Sequence, residues 1–554
     1  RRGICSSTLC GLIKGLLGTE KTKIIIMKKK LLIALLGIIS IPNSYAQSEP
    51  EYIQATQSTA YGVYLNNENS LLRGDNTQEL WIDFAADSYA GGSGTEADPY
   101  LIETPEQLAK LVMETSKENP ENEWELSYEG VYFKQNADID LSSRLCNRFG
   151  IGNGTIFAGI YDGNGYKIKG FQWIAKKTEP LVKKYTGCGL FLNTQNAIIK
   201  NITFVDYQIN GQWTDVSESE IRISPLGYGT DNSQFINCKT DGAINISVKN
   251  VKQSTIEVAG IIGYAYNNTV IDRCIAKGTI EYNGEIIKGD GTYGAIIHCA
   301  GIVPQIENST IINCTNQMDI KAITSGKNDN TVMTRSTGIT GQCINGKLHN
   351  NSNQGKLYAE HIGTINANDN RIDVAGISAA CKDSEILNCW NTADVIRKGG
   401  TYYSCASLVA WWENCKYGNC FYNKEAANAN GEEYGAFTSA YMKSQAFVDL
   451  LNKYLPEGAI EWVTIKDKYP VLKGDDEGND DPTSNAKIEK SFILRTIPGG
   501  IVVNSEQPIQ VNIYTFHGTL QTLQKIPAGS STIDLPKGLY IVKAGNQIEK
   551  VIVK

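Results

Sequence analysis

A short pattern recurs through the middle of this 554-residue chain, and it limits the available folds more than any other feature. It runs Ala259-Gly260-Ile261, Ala300-Gly301-Ile302, Thr337-Gly338-Ile339, Ala375-Gly376-Ile377 and Ala406-Ser407-Leu408, with Cys188-Gly189-Leu190 upstream. From Gly260 onward the central positions step by 41, 37, 38 and 31 residues. A second pattern keeps pace: Phe235-Ile-Asn-Cys238, Ile271-Asp-Arg-Cys274, Ile311-Ile-Asn-Cys314, Leu348-His-Asn-Asn-Ser352 and Ile386-Leu-Asn-Cys389. Its final residues step by 36, 40, 38 and 37. A third short apolar run follows each time, ending at Ile244, Ile280, Ile320, Leu357 and Val395.

Three short strands with alternating apolar residues and Gly/Asn-rich turns cannot close a core alone. Stacked along an axis, they bury one face of every strand and pair each backbone with the next. The expected fold is all-β: a right-handed parallel β-helix with helical caps over its open ends. Thr104, Pro105 and Gln107 read as N-cap, first helical residue and capping-box partner of one capping helix, with Leu108, Leu111 and Val112 on one face. Ser444 starts the other, with Phe447, Leu450 and Leu451 in helical spacing.

The repeat also sorts the cysteines. Twelve of the 14 lie beyond residue 46, and Cys238, Cys274, Cys314 and Cys389 recur at one phase, as a stacked column of small core residues. Rungs about 4.8 Å apart lie slightly beyond the usual Cβ separation of a disulfide, so free thiols are expected. Cys343 and Cys381, in phase on consecutive coils, are the best disulfide candidate. Asn237, Asn313 and Asn388, each before a column cysteine, read as an amide ladder or as left-handed turn residues.

Met27, Lys28 to Lys30, the apolar run Leu31 to Ile41 and Ser44-Tyr45-Ala46 have the order of a secretory signal peptide, with cleavage between Ala46 and Gln47. Residues 1–26 then read as upstream read-through, 27–46 as the signal and 47–89 as an N-terminal extension. The apolar run is too short to span a bilayer, and no transmembrane span is expected. Residues 1–46 carry eight Lys/Arg and one acid, leaving 44 basic and 58 acidic residues beyond them. So acidic a chain is a poor partner for nucleic acid. Four histidines without an H-E-x-x-H motif exclude a zinc protease of that type, and neither metal nor cofactor is expected.

Residues 474–485 are acidic and poor in apolar groups, as a solvated linker is, and lack the ligand spacing of a calcium loop. Beyond them, alternating runs from Ile501-Val-Val503 to Val551-Ile-Val553 predict six or seven strands in a small antiparallel β-sandwich over 486–554.

The segment Gly92-Ser-Gly94-Thr95-Glu-Ala-Asp98-Pro99-Tyr100 resembles the opening of bacterial surface β-helix proteins with GLUG-type repeats. Phe157-Ala-Gly159-Ile-Tyr161-Asp162-Gly163-Asn-Gly165, Gly189-Leu190-Phe191 and Ile199-Lys-Asn201-Ile202 are similar to the same family, as is the closing Tyr469-Pro470-Val471-Leu472. The resemblance covers roughly 90–473 and implies surface attachment or adhesion, without specifying a ligand. Most coils here use Ala-Gly-Ile in place of the family's Gly-Leu-Phe. The tail, with Val511-Asn-Ile513-Tyr514, Gly518 and Ile533-Asp-Leu535-Pro536-Lys-Gly538-Leu-Tyr540, resembles the C-terminal sorting domain of the Bacteroidetes type IX route. That resemblance implies Sec export, type IX machinery as partner, and a cell-surface or extracellular address. An accessory sandwich without a sorting role is the alternative.

Catalysis on a β-helix needs carboxylates and basic groups on adjacent rungs of one face. Asp319, Lys356 and Asp394 share a phase on three coils and point to solvent. The two Asp would lie about 9.6 Å apart, at the wide edge of inverting-glycosidase spacing, but Lys356 sits where the water belongs. A surface charge ladder accounts for them better. Tyr402, Tyr403, Trp411 and Trp412 crowd the last coils, either as a platform on which sugar rings stack or as bulk closing the core. His298, His349 and His361 fall at different phases and read as turn or core residues. The chain therefore reads as a surface-displayed β-helix that binds an extracellular glycan or host matrix component. The alternatives are a polysaccharide-active enzyme or a passive envelope component.

Overall fold

The computed structural model describes residues 79–475 and 493–553, apart from 117–124, 178, 288–293, 327–331, 364–369, 400–401 and 428–434 in the main body and 498, 506–507, 516–519 and 545–546 in the tail. The signal, cleavage and extension assignments fall outside those residues up to position 78, as does most of the acidic linker. Among the described residues, no helix is long and apolar enough to cross a membrane.

The main body is a parallel β-solenoid of about eight turns. One coil passes through four strands: Gly227–Asp231 in sheet I, Gln234–Ile236 in sheet II, Lys239–Val251 in sheet III and Thr255–Ala259 in sheet IV. Successive coils pair in parallel, building sheets of nine, ten, thirteen and seven strands respectively. Sheet III is the wide wall, with strands of 12, 13, 12 and 11 residues on four consecutive coils. Inward side chains of all four sheets join one buried cluster that runs the length of the solenoid.

Each recurrent motif has a stacking reason. The central glycines form the turn from sheet IV to sheet I, where coils approach too closely for a side chain. A Cβ on Gly260 would lie 2.2 Å from the Gly301 carbonyl oxygen, and one on Gly338 would lie 2.1 Å from that of Gly376. Cys238, Cys274, Cys314 and Cys389 stack inward, fully buried and unbridged, and Cys343 and Cys381 face each other in register as free thiols. Asn237, Asn313 and Asn388 adopt positive φ and also form the amide ladder: Asn237 donates to Asn201 at 2.9 Å, Asn350 to Asn313 at 2.8 Å and Asn388 to Asn350 at 2.8 Å.

One phase differs from expectation. Ser352 pairs with Thr315 and Trp390, so Asn351, not Ser352, occupies the cysteine column. A one-residue slip turns a side chain to the other face of a strand, and Asn351 earns the inward place by hydrogen-bonding the Cys314 N–H and the Ile311 carbonyl. A second amide ladder lies inside the core, facing the glycine turns: Asn316 donates to Asn353 and Asn353 to Asn391, each at 2.7 Å.

Helix α1, Pro105–Glu114, follows the first-rung strand Tyr100–Ile102. The Thr104 hydroxyl accepts from the Gln107 N–H, while the Gln107 side chain accepts from Glu103, one residue before the cap. Its buried face, Leu108, Leu111 and Val112, joins the solenoid core together with Trp81. Helices α2, Ser439–Met442, and α3, Gln445–Lys453, form at the expected place but pack along the side of the solenoid. Phe447, Val448 and Leu451 meet Trp390 and Phe421, which replace the Thr315 and Ser352 of earlier coils in one outward column and give the helix an apolar wall. The chain then runs back toward earlier coils. Gly458 and Ile460 accept from Asn313 and Asn350, the Trp462 indole donates to Asn350 at 2.6 Å, and Asp475 pairs with Lys239 at 2.8 Å. This strap, not an end cap, is what residues 438–475 build.

The tail carries antiparallel sheets of three and four strands around one cluster that includes Ile501, Val511, Ile513 and Val542. Seven strands are described, and burial alternates in Ile509–Thr515 and Gly538–Ala544, whereas Leu520 and Leu523, expected as part of an apolar run, are exposed.

Asn353 tests the inner ladder. Asn353→Ala removes one bond each from Asn316 and Asn391, which keep their bonds to Met318 and Ala393, and one from the Gly355 carbonyl, an expected loss of about 1–3 kcal/mol, read as a lower denaturation midpoint with the fold retained by circular dichroism.

Candidate functional site

The densest chemistry lies where outward side chains of sheets IV and I meet across the glycine turn. Three residues before each central residue of the recurrent motif stands a polar side chain: Glu257, His298, Arg335, Asp373 and Ser404. Strand register stacks these, with Arg222 before them, into one column. Their neighbours on the same strands, Ile256, Ile297 and Ile372, point into the core, so the column faces outward. It is nevertheless shut off from water, with Glu257 1% and Asp373 0% exposed: Tyr228 and Tyr264 lie against Arg222, and Gln342 bonds Arg335.

The contacts fall into two groups, one around Arg222 and one around Arg335. Arg222 pairs with Glu220 through Nη2 and with Glu257 through Nε, both at 2.6 Å, and stacks over Tyr264 with its guanidinium carbon 4.5 Å from the ring centre. Arg335 donates to Asp373 at 3.3 Å, to the Gln342 side chain at 3.2 Å and to His298 Nε2 at 3.3 Å. Arg371 reaches Asp373 at 2.8 Å. A guanidinium only donates, so His298 Nε2 accepts and the neutral ring carries its hydrogen on Nδ1. That atom lies 4.0 Å from Glu257 Oε1, too far to bond, and has no partner among the described residues; nor do Gln305 Nε2, Asp373 Oδ1 and Tyr228 Oη.

Burial sets the proton affinities. It pushes the Glu257 carboxyl up to about 7, against the pull of Arg222. Burial, with Arg335 and Arg371, drives His298 well below the ordinary imidazole range. Burial also opposes the charge on Arg222, but Glu220 and Glu257 hold its proton firmly in place. With Glu257 ionised, the three arginines and three carboxylates balance. What the column offers is a carboxyl poised near neutrality beside a neutral imidazole. Among the described residues, no three His, Cys, Asp or Glu gather as a metal site.

The residues singled out by spacing fall elsewhere. Asp319, Lys356 and Asp394 share one outward column at the edge of sheet III, as the pairing of Ile320, Leu357 and Val395 fixes. Asp319 accepts the Lys356 N–H and Asp394 the Ala427 N–H, both at 2.8 Å, so each carboxylate stitches one coil to the next. Tyr402 and Tyr403 lie on the last strand of sheet IV beside Arg371 and Ile372; their side chains are outside the described set. Trp411 continues the outward column of Gln305, Gln342 and Ala380, at the end of the charged corner. Trp412 continues the inward column of Cys343 and Cys381, is 47% exposed, and stacks on Tyr417 at 6.1 Å and 12°. The cleavage pair Ala46 and Gln47 is not among the described residues. His349 lies 3.4 Å from Glu385 and His361 bonds Thr324, while His298 belongs to the charged corner and not to a turn or the core. The offset from the motif was the available signal for that corner; charge scattered over different residue types concealed it.

No family model matches the chain, and no curated protein matches it. Among solved structures, it is similar to a putative immunoglobulin A1 protease from Bacteroides ovatus, with 16% identity and a TM-score of 0.31 over 70% of this chain and 95% of that one.

Glu257 makes the corner sensitive to pH. Its folded pKa lies above the ordinary 4.5, so the folded state holds the proton more tightly than the unfolded chain. The resulting stability is complete below about pH 4.5 and is lost as pH rises through about 7. In calorimetry across that window, the melting temperature of the wild type should fall relative to that of Glu257→Gln.

Proposed function

We propose that this chain is an exported, surface-displayed β-helix that binds an extracellular glycan or host matrix polymer along the outward face of sheet III. The observation that carries this reading is the in-register array on that wall. Asn210, Asn245, Glu281 and Lys321 align on four successive coils, with Gln212, Ser247 and Asn283 alongside. Asn245, Glu281 and Lys321 are exposed, and Asn245 donates to Asn210 at 3.1 Å. Hydrogen-bonding groups repeated about every 4.8 Å suit a polymer of hydroxyls and amides. Right-handed coiling, kinship with GLUG-repeat surface proteins, Sec and type IX export and a sorting role for the tail belong to the same proposal. So do auxiliary sugar contacts from Tyr402, Tyr403, Trp411 and Trp412.

A second reading, a polysaccharide-active enzyme, draws support from the corner. A carboxyl with its pKa near 7 is matched to general acid work. Its burial and its bond to Arg222 weigh against this reading, as the hydrogen-bonded roles of Asp319 and Asp394 weigh against catalysis at the edge of sheet III.

The test incubates residues 47–554 with a panel of polysaccharides and mucin glycans and follows the soluble fraction by mass spectrometry. Depletion of some glycans with masses unchanged is expected, and Asn245→Ala combined with Lys321→Ala should weaken retention about tenfold. Shortened or unsaturated products that vanish with Glu257→Gln would replace binding by catalysis. A panel left untouched would favour a passive envelope role.

A further inference from the structure

The two ends of the solenoid are finished differently. At the N-terminal end the first-rung strand leads straight into α1, and Trp81, Leu108, Leu111 and Val112 are all buried. At the other end, three of the four sheets stop on strands that no described strand continues: Tyr402–Ala406 of sheet IV, Val409–Glu413 of sheet I and Lys416–Gly418 of sheet II. The helices that follow lie along the flank. The core itself surfaces here. Cys381 is 0% exposed, whereas Trp412, one coil later in the same inward column, is 47% exposed. Such a terminus joins open strand edges to an apolar face, the combination that recruits another chain.

We propose that the C-terminal end of the solenoid is a docking surface for a second copy of this chain, the two joining tail to tail about a two-fold axis. A head-to-tail stack would need an open first rung, and α1 occupies it. A self-complementary contact needs only the open end of each copy. The charges at the edge fit that symmetry. Glu413 ends the last strand of sheet I and Lys416 begins that of sheet II; each pairs with a residue one coil back, Glu413 with Lys382 at 3.7 Å and Lys416 with Glu385 at 3.4 Å, and their side chains stay 53% and 68% exposed, so each can add a second partner. A two-fold axis through the turn at Asn414 and Cys415 lays the last strand of sheet I antiparallel to the partner's last strand of sheet II. The same rotation sets Glu413 beside the partner's Lys416, twice over. The stacked Trp412 and Tyr417 rings flank the turn and are covered in the pair.

Sedimentation velocity and native mass spectrometry of residues 47–554 over a range of concentrations test this. A concentration-dependent dimer is expected. Trp412→Lys should abolish it, while circular dichroism reports whether the variant folds. Glu413→Lys or Lys416→Glu alone should each weaken the dimer about three- to tenfold, and the two together should restore it, because the exchanged charges again face opposite signs. A monomer at every concentration overturns the proposal, whether the end is covered by another part of the same chain or by a different protein. A dimer indifferent to Trp412→Lys, or single charge variants that the double exchange does not rescue, overturns it equally.

Discussion

The parallel backbone pairing of each coil with the next governs this molecule. Once two coils lie one strand spacing apart, every residue is pressed against its counterpart one turn on, and the sequence must supply columns of residues that tolerate their own kind. Glycine is required where the carbonyl of Gly301 or Gly376 would meet a Cβ. Thiols suit the inward column because they are small and half apolar. Amides suit both the turn and the inner column because each can donate to one neighbour and accept from the other: Asn350 donates back to Asn313 and accepts from Asn388, whereas Asn353 accepts from Asn316 and donates on to Asn391.

Charge is the exception that shows the rule. Like charges cannot stack in a place as dry as the corner of sheets I and IV. The column therefore alternates, with Arg222, Glu257, neutral His298, Arg335 and Asp373 in order, and the arginines bond carboxylates on neighbouring rungs. Neutral His298 separates Glu257 from Arg335, a place where a charged imidazole would add positive charge beside the arginine. A corner built this way locks two sheets at a fixed angle. It also holds Glu257, whose carboxyl burial pushes up to about 7.

How far the fold was legible follows from the same pairing. The period, the cysteine column, the positive-φ asparagines and α1 with its cap could be read because each depends on contacts that repeat at a constant offset. The placement of Asn351 could not, since Asn-Asn-Ser offers two polar residues for one inward position and only the bonds to Cys314 and Ile311 decide. The strap was hidden for another reason. The helix beginning after Ser444 is evident from its apolar spacing, but its resting place depends on Trp390 and Phe421, whose place in the outward column of Thr315 and Ser352 is visible only in the strand register. The corner was concealed by its chemistry: repeats are found by sameness, and this column works by alternation.

The strap changes what the remaining surfaces can do. By bonding Asn313 and Asn350 through Gly458, Ile460 and Trp462, it occupies the turn between sheets II and III on the later coils. The charged corner is filled by its own side chains, and α1 takes the first rung. The wide outward wall of sheet III and the last-coil edge are thereby set apart from the rest. On the wall, Asn245, Glu281 and Lys321 stay exposed, even though Asn245 also bonds Asn210. At the edge, no described strand continues three of the four sheets. A solenoid satisfies its backbone everywhere except where the repetition ends, and a ladder with one end closed and the other open has a built-in direction. Opposite charges set beside the open end give that direction the means to be cancelled by an inverted copy of itself.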